Sequence, residues 1–380
     1  MSLEARLEWR SPIAAHIDRL VIEPTALQDD ARLLAAGEGL HHTEEVSLDA
    51  APWCQPAGLA LLELAAADVR PGLKPMVDRF YPRAAFAKLP GSARDLRPLK
   101  LIAVNAETAT LRVDPNHPLA ETPARLNLRR SPYPAAPGVR LADLFSGPGM
   151  QVPAADPAAT YFAGNAFARG DERGDAAFYA VPRLTQHLDA NCRVASADFH
   201  SRLLLPGMRV LDLMASCDSH LPAAPADLRV CGLGMNAEEL AANPRLGARV
   251  VQDLNACPAL PWPDASFDSV QCVASIEYLL RPAEVIAEVL RVLCPGGIFA
   301  VSFSDRWFPT KAIRVWGELH SFERLGLVLS LLRQAGFSGL QTETLRGVKR
   351  PNDDKYISQR NFSDPLFAAW GRKSDSRSGT

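Results

Sequence analysis

The chain has 380 residues, 47% of them hydrophobic, enough to bury a large core and to divide into more than one domain. A formal net charge of −2 supplies no electrostatic attraction to nucleic acid or to an anionic membrane, so neither is expected as a partner. The seven cysteines are scattered, odd in number and mostly set in apolar runs such as "VCGL" and "VQCVAS", the usage of buried free thiols in a reducing compartment. No CxxC occurs, the eight histidines lack zinc-ligand spacing, and the adjacent His41 and His42 cannot share one helix face, so no metal site is expected. The N-terminus is charged from the start, without the apolar core of a signal peptide, and no run of about eighteen apolar residues appears. A cytoplasmic location is the expectation.

Residues 1–90 read as mostly helical with irregular joints. "SPIAAHIDRL" offers a serine N-cap with proline at the first helical position, and "GLALLELAAADV" reads as a helix ending before Pro71. Residues 98–130 alternate apolar and polar around turns at Asn105-Ala106-Glu107 and at Asp114-Pro115-Asn116-His117, which predicts a small antiparallel β unit. Within it, "KLIAVNAETATLRVDPNHPLAETPARLNL" resembles the closing strands of FKBP-type prolyl isomerases of the bacterial two-domain kind. The resemblance covers about thirty residues, and the aromatic-lined opening strands of that family are not visible before residue 90. It implies a structural remnant or a flap-like, peptide-binding module, through which a protein partner could act, more readily than an isomerase. Asn116 and His117 read equally well as turn residues satisfying local backbone donors.

Residues 131–157, "SPYPAAPGVRLADLFSGPGMQVPAADP", are too rich in proline and glycine for a regular element and read as a linker. After Pro182 apolar residues recur at helical spacing, which predicts one or two lead-in helices. From residue 207 strand-like and helical stretches alternate: "MRVLDLMA", a short helix, "LRVCGLG", "ARVVQDL", "FDSVQCVAS", "GIFAVSF", "GLQTETLRG" and "PLFAAWGRK". Alternation of this kind implies an α/β fold with a mostly parallel sheet. The expected division is therefore 1–130 for a smaller α+β module, 131–157 for the linker, 158–372 for the α/β domain and 373–380 for a polar, disordered tail.

"RVCGLGMNAEEL" imitates a dinucleotide fingerprint, with Gly232-x-Gly234-x-x-Ala237 and an acid, Asp253, about twenty residues on. It belongs to the second strand of the sheet, whereas that fingerprint normally opens the fold. The sequel, "DLNACPALPWPDASFDSVQCVASIEYLLRPAEVIAEVLRVLCPGGIFAVSFS", resembles class I S-adenosylmethionine-dependent methyltransferases of the small-molecule, type 11-like group. The resemblance spans about 165 residues. It implies a Rossmann-like seven-stranded sheet, S-adenosylmethionine as cofactor and a small-molecule methyl acceptor.

The same resemblance implies cofactor contacts from Asp212, Met214, Ser216, Gly234, Met235, Asn236, Asp253, Leu254 and Ser275, with Asp253 toward the adenine amino group and Met235 packed on the ring. Two departures stand out. The first-strand loop, Asp212 to Asp218, contains no glycine, and Gly234 occupies the place of the acid that holds the ribose hydroxyls. Either Ser216, Asp218, Asn236 or Glu238 compensates in an adapted site, or the fold persists as a non-catalytic interaction module. Around the acceptor, His220, Tyr278 and Asp305 are candidates, the last in "SFSDRWFPTKAIRVW", where Arg306 and Lys311 stand among large aromatics. No catalytic base is assigned, because methyl transfer needs chiefly in-line positioning.

Overall fold

The structure, a computed structural model, describes residues 2–375 apart from 29, 41–42, 55–57, 88, 90–96, 224 and 226. His41, His42 and positions 376–380 of the tail lie outside the described residues. Two compact units are present: residues 1–164 with 318–327, and residues 165–317 with 328–380.

In the first unit, β1 (Leu3–Arg10) and β2 (Ala14–Ile22) form an antiparallel hairpin, followed by α1 (Ala31–Gly39), β3 (Glu45–Asp49), β4 (Leu62–Ala65), β5 (Phe80–Pro82), β6 (Pro98–Asn105), β7 (Thr110–Asp114) and β8 (Ala124–Arg130). One sheet runs β2-β1-β8-β3 and a second runs β4-β7-β6-β5. The helical reading of residues 1–90 is thus overturned. "LEARLEWR" is composed of good helix formers, but its strict alternation puts Leu3, Ala5, Leu7 and Trp9 on one buried face, and period decides over propensity. Ser11 is no helix cap: its amide and hydroxyl both bond Ala14, closing the hairpin. The "GLALLELAAADV" stretch is strand β4 followed by a 3-10 turn at Ala66–Asp68.

The antiparallel unit expected at 98–130 is present as the β6/β7 hairpin, with the Asn105 side chain accepting from the amides of Glu107 and Thr108. Strand β8 joins the other sheet, between β1 and β3. Residues 131–157 do not behave as a linker. A 3-10 helix at Leu141–Ser146 buries Leu141, Leu144 and Phe145 in the same core as Leu7, Ile22 and Leu126, since apolar side chains spaced three and four apart reach one face. The short helix α2 (Pro157–Thr160) follows, N-capped by Asp156.

The second unit begins with α3 (Asp175–Tyr179) and α4 (Ala190–Ser201), the latter capped where Asp189 Oδ1 accepts from Cys192 N at 3.0 Å. Then come β9 (Arg209–Leu213), β10 (Arg229–Gly234), α5 (Ala237–Ala242), β11 (Ala248–Val251), β12 (Phe267–Val273), α6 (Pro282–Val292), β13 (Leu293–Phe303), α7 (Arg314–Glu318), α8 (Ser321–Ala335), β14 (Ser338–Arg346) and β15 (Leu366–Arg372), of which residues 318–327, the end of α7 and the start of α8, are counted with the first unit. The order is β11-β10-β9-β12-β13-β15-β14, parallel except for β15. This is the Rossmann-like seven-stranded sheet expected from the sequence, with its change of direction between β9 and β12. Gly296, at φ 73°, makes the turn into the buried part of β13 that a residue with a Cβ resists. The expected short helix between β9 and β10 is absent among the described residues of 214–228. Side-chain bonds shape that connection instead: Asn243 Nδ2 donates to Ser216 O at 2.8 Å and Arg245 Nη2 to Pro222 O at 2.9 Å.

Candidate functional site

Ligands of open α/β sheets bind beyond the carboxyl ends of the strands, where the strand order reverses. Here two adjoining cavities open beyond β9, β10, β11 and β12. The first is lined by Met214, Ser216, Gly234, Met235, Asn236, Asp253, Leu254, Ser275 and Tyr278, among others. The second is lined by Asp212, Asp218, His220, Arg306, Trp307 and Leu188, and the two share Met214, Ser216, Ser275, Tyr278, His187 and Phe308. All nine cofactor candidates therefore surround one crevice, with Asp212 on the second cavity only. Met214 (φ 61°) and Ala274 (φ 46°) hold left-handed backbone just after β9 and β12, where chain geometry is often bent to a ligand's needs.

At the first cavity, Asp253 Oδ1 accepts from the amides of Asn255 (2.8 Å) and Ala256 (3.3 Å), which fixes the carboxylate at the rim, and Met235 and the buried Leu254 form apolar walls beside it. An acceptor between two apolar walls suits an aromatic base carrying an amino group. The opposite end is built differently. A Cβ on Gly234 would lie 2.1 Å from the carbonyl oxygen of Ala215, so the loop after β9 itself occupies the space of a strand-end side chain. Asn236 is consumed as the cap of α5, accepting from Glu238 and Glu239 amides and donating to Tyr179 O at 2.9 Å.

Glu238 is exposed and away from the cavity, which removes it as a compensating acid. Glu239 takes its place: buried and lining the first cavity, it accepts from Ser216 Oγ at 2.6 Å and Arg183 N at 2.7 Å. The spacing Asn236-x-x-Glu239 is that of a capping box, a signal that could have drawn attention to Glu239. The side chain turns instead to Ser216 of the β9 loop and to the Arg183 amide.

A buried ionic cluster fixes the other wall. Asp175, another lining residue, accepts two bonds from Arg169 (2.7 and 2.9 Å) and one from Asn255 Nδ2 (2.8 Å), while Lys311 Nζ lies 3.1 Å from it. Arg169 and Asp175 side chains are 3% exposed and Lys311 0%. Asn255 also donates to Tyr278 O, so the first residue of α3 is tied to the segments after β11 and β12.

At the second cavity, Tyr278 accepts from Phe308 N at 2.9 Å, and the Phe308 ring packs against Phe178, His187 and Tyr278. Asp212 is buried, and desolvation pushes its carboxyl up to about 7 despite the bond from Ser219. Asp305, a sequence candidate for the acceptor, is not at either cavity. Its Oδ1 pairs with Arg360 Nη1 at 3.2 Å, and the chain turn that allows this presents Arg306, Trp307 and Phe308 to the cavity instead.

The polar groups of "VDPNHPLA" are all engaged within the first unit. Asn116 bonds Leu59 and Asp114 on both sides of its amide, and His117 bonds Phe145 O (2.7 Å) and accepts from Leu119 N (3.0 Å). The seven cysteines are free thiols; no cluster of metal-ligating side chains occurs among the described residues, and no described helix is long and apolar enough to cross a membrane.

Residues 216–301 match the family described as a methyltransferase domain. Such a domain takes S-adenosylmethionine as cofactor. The chain is similar to the ubiquinone/menaquinone biosynthesis C-methyltransferase UbiE of Geobacter sulfurreducens, 30% identical over 24% of this chain and 33% of that protein. It is similar also to a demethylmenaquinone methyltransferase of a Parafrankia species, 32% identical over 34% of this chain and 59% of that protein. The chain thus spans a third to three fifths of these relatives. Among solved structures, a SAM-dependent methyltransferase of Thermotoga maritima, described as a possible histamine N-methyltransferase, aligns at 19% identity and a TM-score of 0.36, covering 48% of this chain and 89% of that one.

Proposed function

We propose that the second unit is an S-adenosylmethionine-dependent methyltransferase acting on a small molecule. The observation that carries this reading is the convergence of Asp253, Met235 and Leu254 at the strand ends, in a cavity that shares a wall with a second, ionisable one. Asp253 would hold the adenine amino group, and Met235 and Leu254 its faces. Glu239 with Ser216 would supply the polar contacts nearest the blocked Gly234 position. When bound, the cofactor supplies an electrophilic methyl group. The chain's part is to align an acceptor in the second cavity across the shared wall, which raises the effective concentration of the reacting pair.

The similarity to quinone C-methyltransferases supports a small ring acceptor. We read the FKBP-like stretch 98–130 as structural, because its polar groups are spent on the first unit's own backbone. A second reading, an interaction module without the cofactor, draws support from the Ala215 carbonyl at Gly234.

Calorimetric titration with S-adenosylhomocysteine separates the two readings. Saturable binding is expected, weakened by Asp253→Ala by about 1–3 kcal/mol, the cost of an unpaired buried donor. No binding at millimolar ligand would favour the interaction module.

A further inference from the structure

The second cavity holds two ionisable groups shielded from solvent, the cofactor candidate Asp212 and His220, which the cofactor contacts do not include. Asp212 is 3% exposed, and its Oδ2 makes no hydrogen bond within the chain; Ser219, which bonds this carboxyl, is itself anchored by Asn243 Nδ2 at 2.9 Å. His220 holds a left-handed backbone (φ 52°) because Asp218 Oδ1 accepts its amide at 2.9 Å. Its side chain is 13% exposed; Nδ1 is buried without a hydrogen bond, 3.6 Å from Asp218 Oδ2. A buried polar atom left without a hydrogen bond, as Asp212 Oδ2 is, costs free energy and persists where a ligand supplies the partner, and Asp218 beside Nδ1 leaves the other nitrogen of His220 for such a ligand. The remaining walls, Leu188, Met214, Val273, Tyr278, Trp307 and Phe308, are apolar or aromatic and suit a flat ring.

We propose that this cavity takes a phenolic or enolic ring as methyl acceptor, and that His220 removes the proton of its hydroxyl while Asp218 positions the imidazole. The inference rests on reading the adjoining crevice as a methyltransferase site. In the step, the acceptor's O–H bond breaks and its proton passes to the imidazole nitrogen that faces away from Asp218. The electron pair stays on the oxygen, which would form the new O–C bond to the methyl group as the donor's sulfonium S–C bond breaks and its electron pair leaves on a neutral thioether sulfur; the imidazole later returns its proton to water. Asp218 stabilises the imidazolium across 3.6 Å. Arg306, whose guanidinium lies over the Tyr356 ring at 4.6 Å and 3.6 Å from Asp364, lines the same cavity and can stabilise the oxyanion.

Burial holds His220 below the ordinary histidine range, with Asp218 opposing this and Arg193 and His187 adding to it, so the resting ring is neutral but a weak base, and it takes the proton only because the bound oxyanion and Asp218 together stabilise the imidazolium. Asp212 and Arg306 complete the cavity's charged groups, and His200 faces the same imidazole from α4.

The test uses 4-nitrophenol, whose neutral and anionic forms absorb at different wavelengths, with the full chain and without any transfer of a methyl group. Below the probe's own midpoint, the bound probe is expected to show several-fold more anion than the free probe. In His220→Asn, a side chain that tolerates left-handed backbone, the bound probe is expected in its neutral form. Asp218→Asn is expected to lie between the two. Should the His220 variant not fold, Asp218→Asn decides, and an ionised fraction equal to the wild type's overturns the proposal.

An unchanged ionised fraction on binding, or an equal one in wild type and His220→Asn, overturns the proposal. So does the absence of saturable probe binding. Displacement of the probe by S-adenosylhomocysteine overturns it too, because the cavity would then belong to the nucleoside ligand. Ionising capture of the probe without any S-adenosylhomocysteine binding would keep His220 as a base and remove the methyltransferase reading alone.

Discussion

Gly234→Asp is expected to cost at least about 3 kcal/mol of stability and to abolish, rather than improve, S-adenosylhomocysteine binding. A strand-end acid at this place ought to strengthen the grip on a ribose if the glycine were a mere loss. The carbonyl oxygen of Ala215 stands 2.1 Å from where the new Cβ must go, and it is backbone, fixed by the bond from Ala215 N to Leu233 O at 2.7 Å. Accommodation would break that bond and shift Met214 and Ser216, both on the walls of the two cavities. Gly232 offers a control, since the three atoms nearest its added Cβ all belong to the Leu246 side chain, which can turn aside, rather than to backbone. Denaturant midpoints and calorimetry on both alanine and aspartate variants measure this; tighter binding by Gly234→Asp would contradict the account.

Asp175→Ala is expected to have the largest effect on stability, about 3–5 kcal/mol, because it strands two buried cations. Arg169 and Lys311 are as buried as the carboxylate between them and have no comparably close carboxylate to turn to: Lys311 retains Asp171 at 3.5 Å, two backbone carbonyls and the face of the Phe178 ring. Asp175→Asn separates packing from charge, since the amide keeps the shape and one acceptor. Urea unfolding should place it between wild type and Asp175→Ala. A loss below about 1 kcal/mol in Asp175→Ala, the range of an exposed pair, would show that the cluster is open to water in solution.

The sheet of the second unit was legible because its strands are continuous apolar runs between helical stretches, closed by Pro295-Gly296-Gly297, and the order of such pieces limits the topology. The first unit was misread where residues with high helix propensity sit in an alternating pattern, as in β1, and where a Ser-Pro pair serves a hairpin instead of a cap. The candidate site was legible at the strand ends, which local pattern marks. It was not legible at Glu239, whose spacing pointed to a cap, nor at Asp175 and Lys311, which only the folded chain brings together. Asp305 and Arg306 show the limit of such reading. Adjacent polar residues on one loop point opposite ways, and the Arg360 partner that decides it is far along the chain.

The central claim is that the nucleoside of the cofactor lies over the ends of β9, β10 and β11. Hydrogen exchange with and without saturating S-adenosylhomocysteine tests it most directly, because exchange reports local opening at each amide. The account expects slowed exchange confined to residues 214–216, 235–236, 253–255 and 274–278, and lost in Asp253→Ala at the same ligand concentration. Unchanged exchange in these segments, or protection located in the first unit instead, would contradict it.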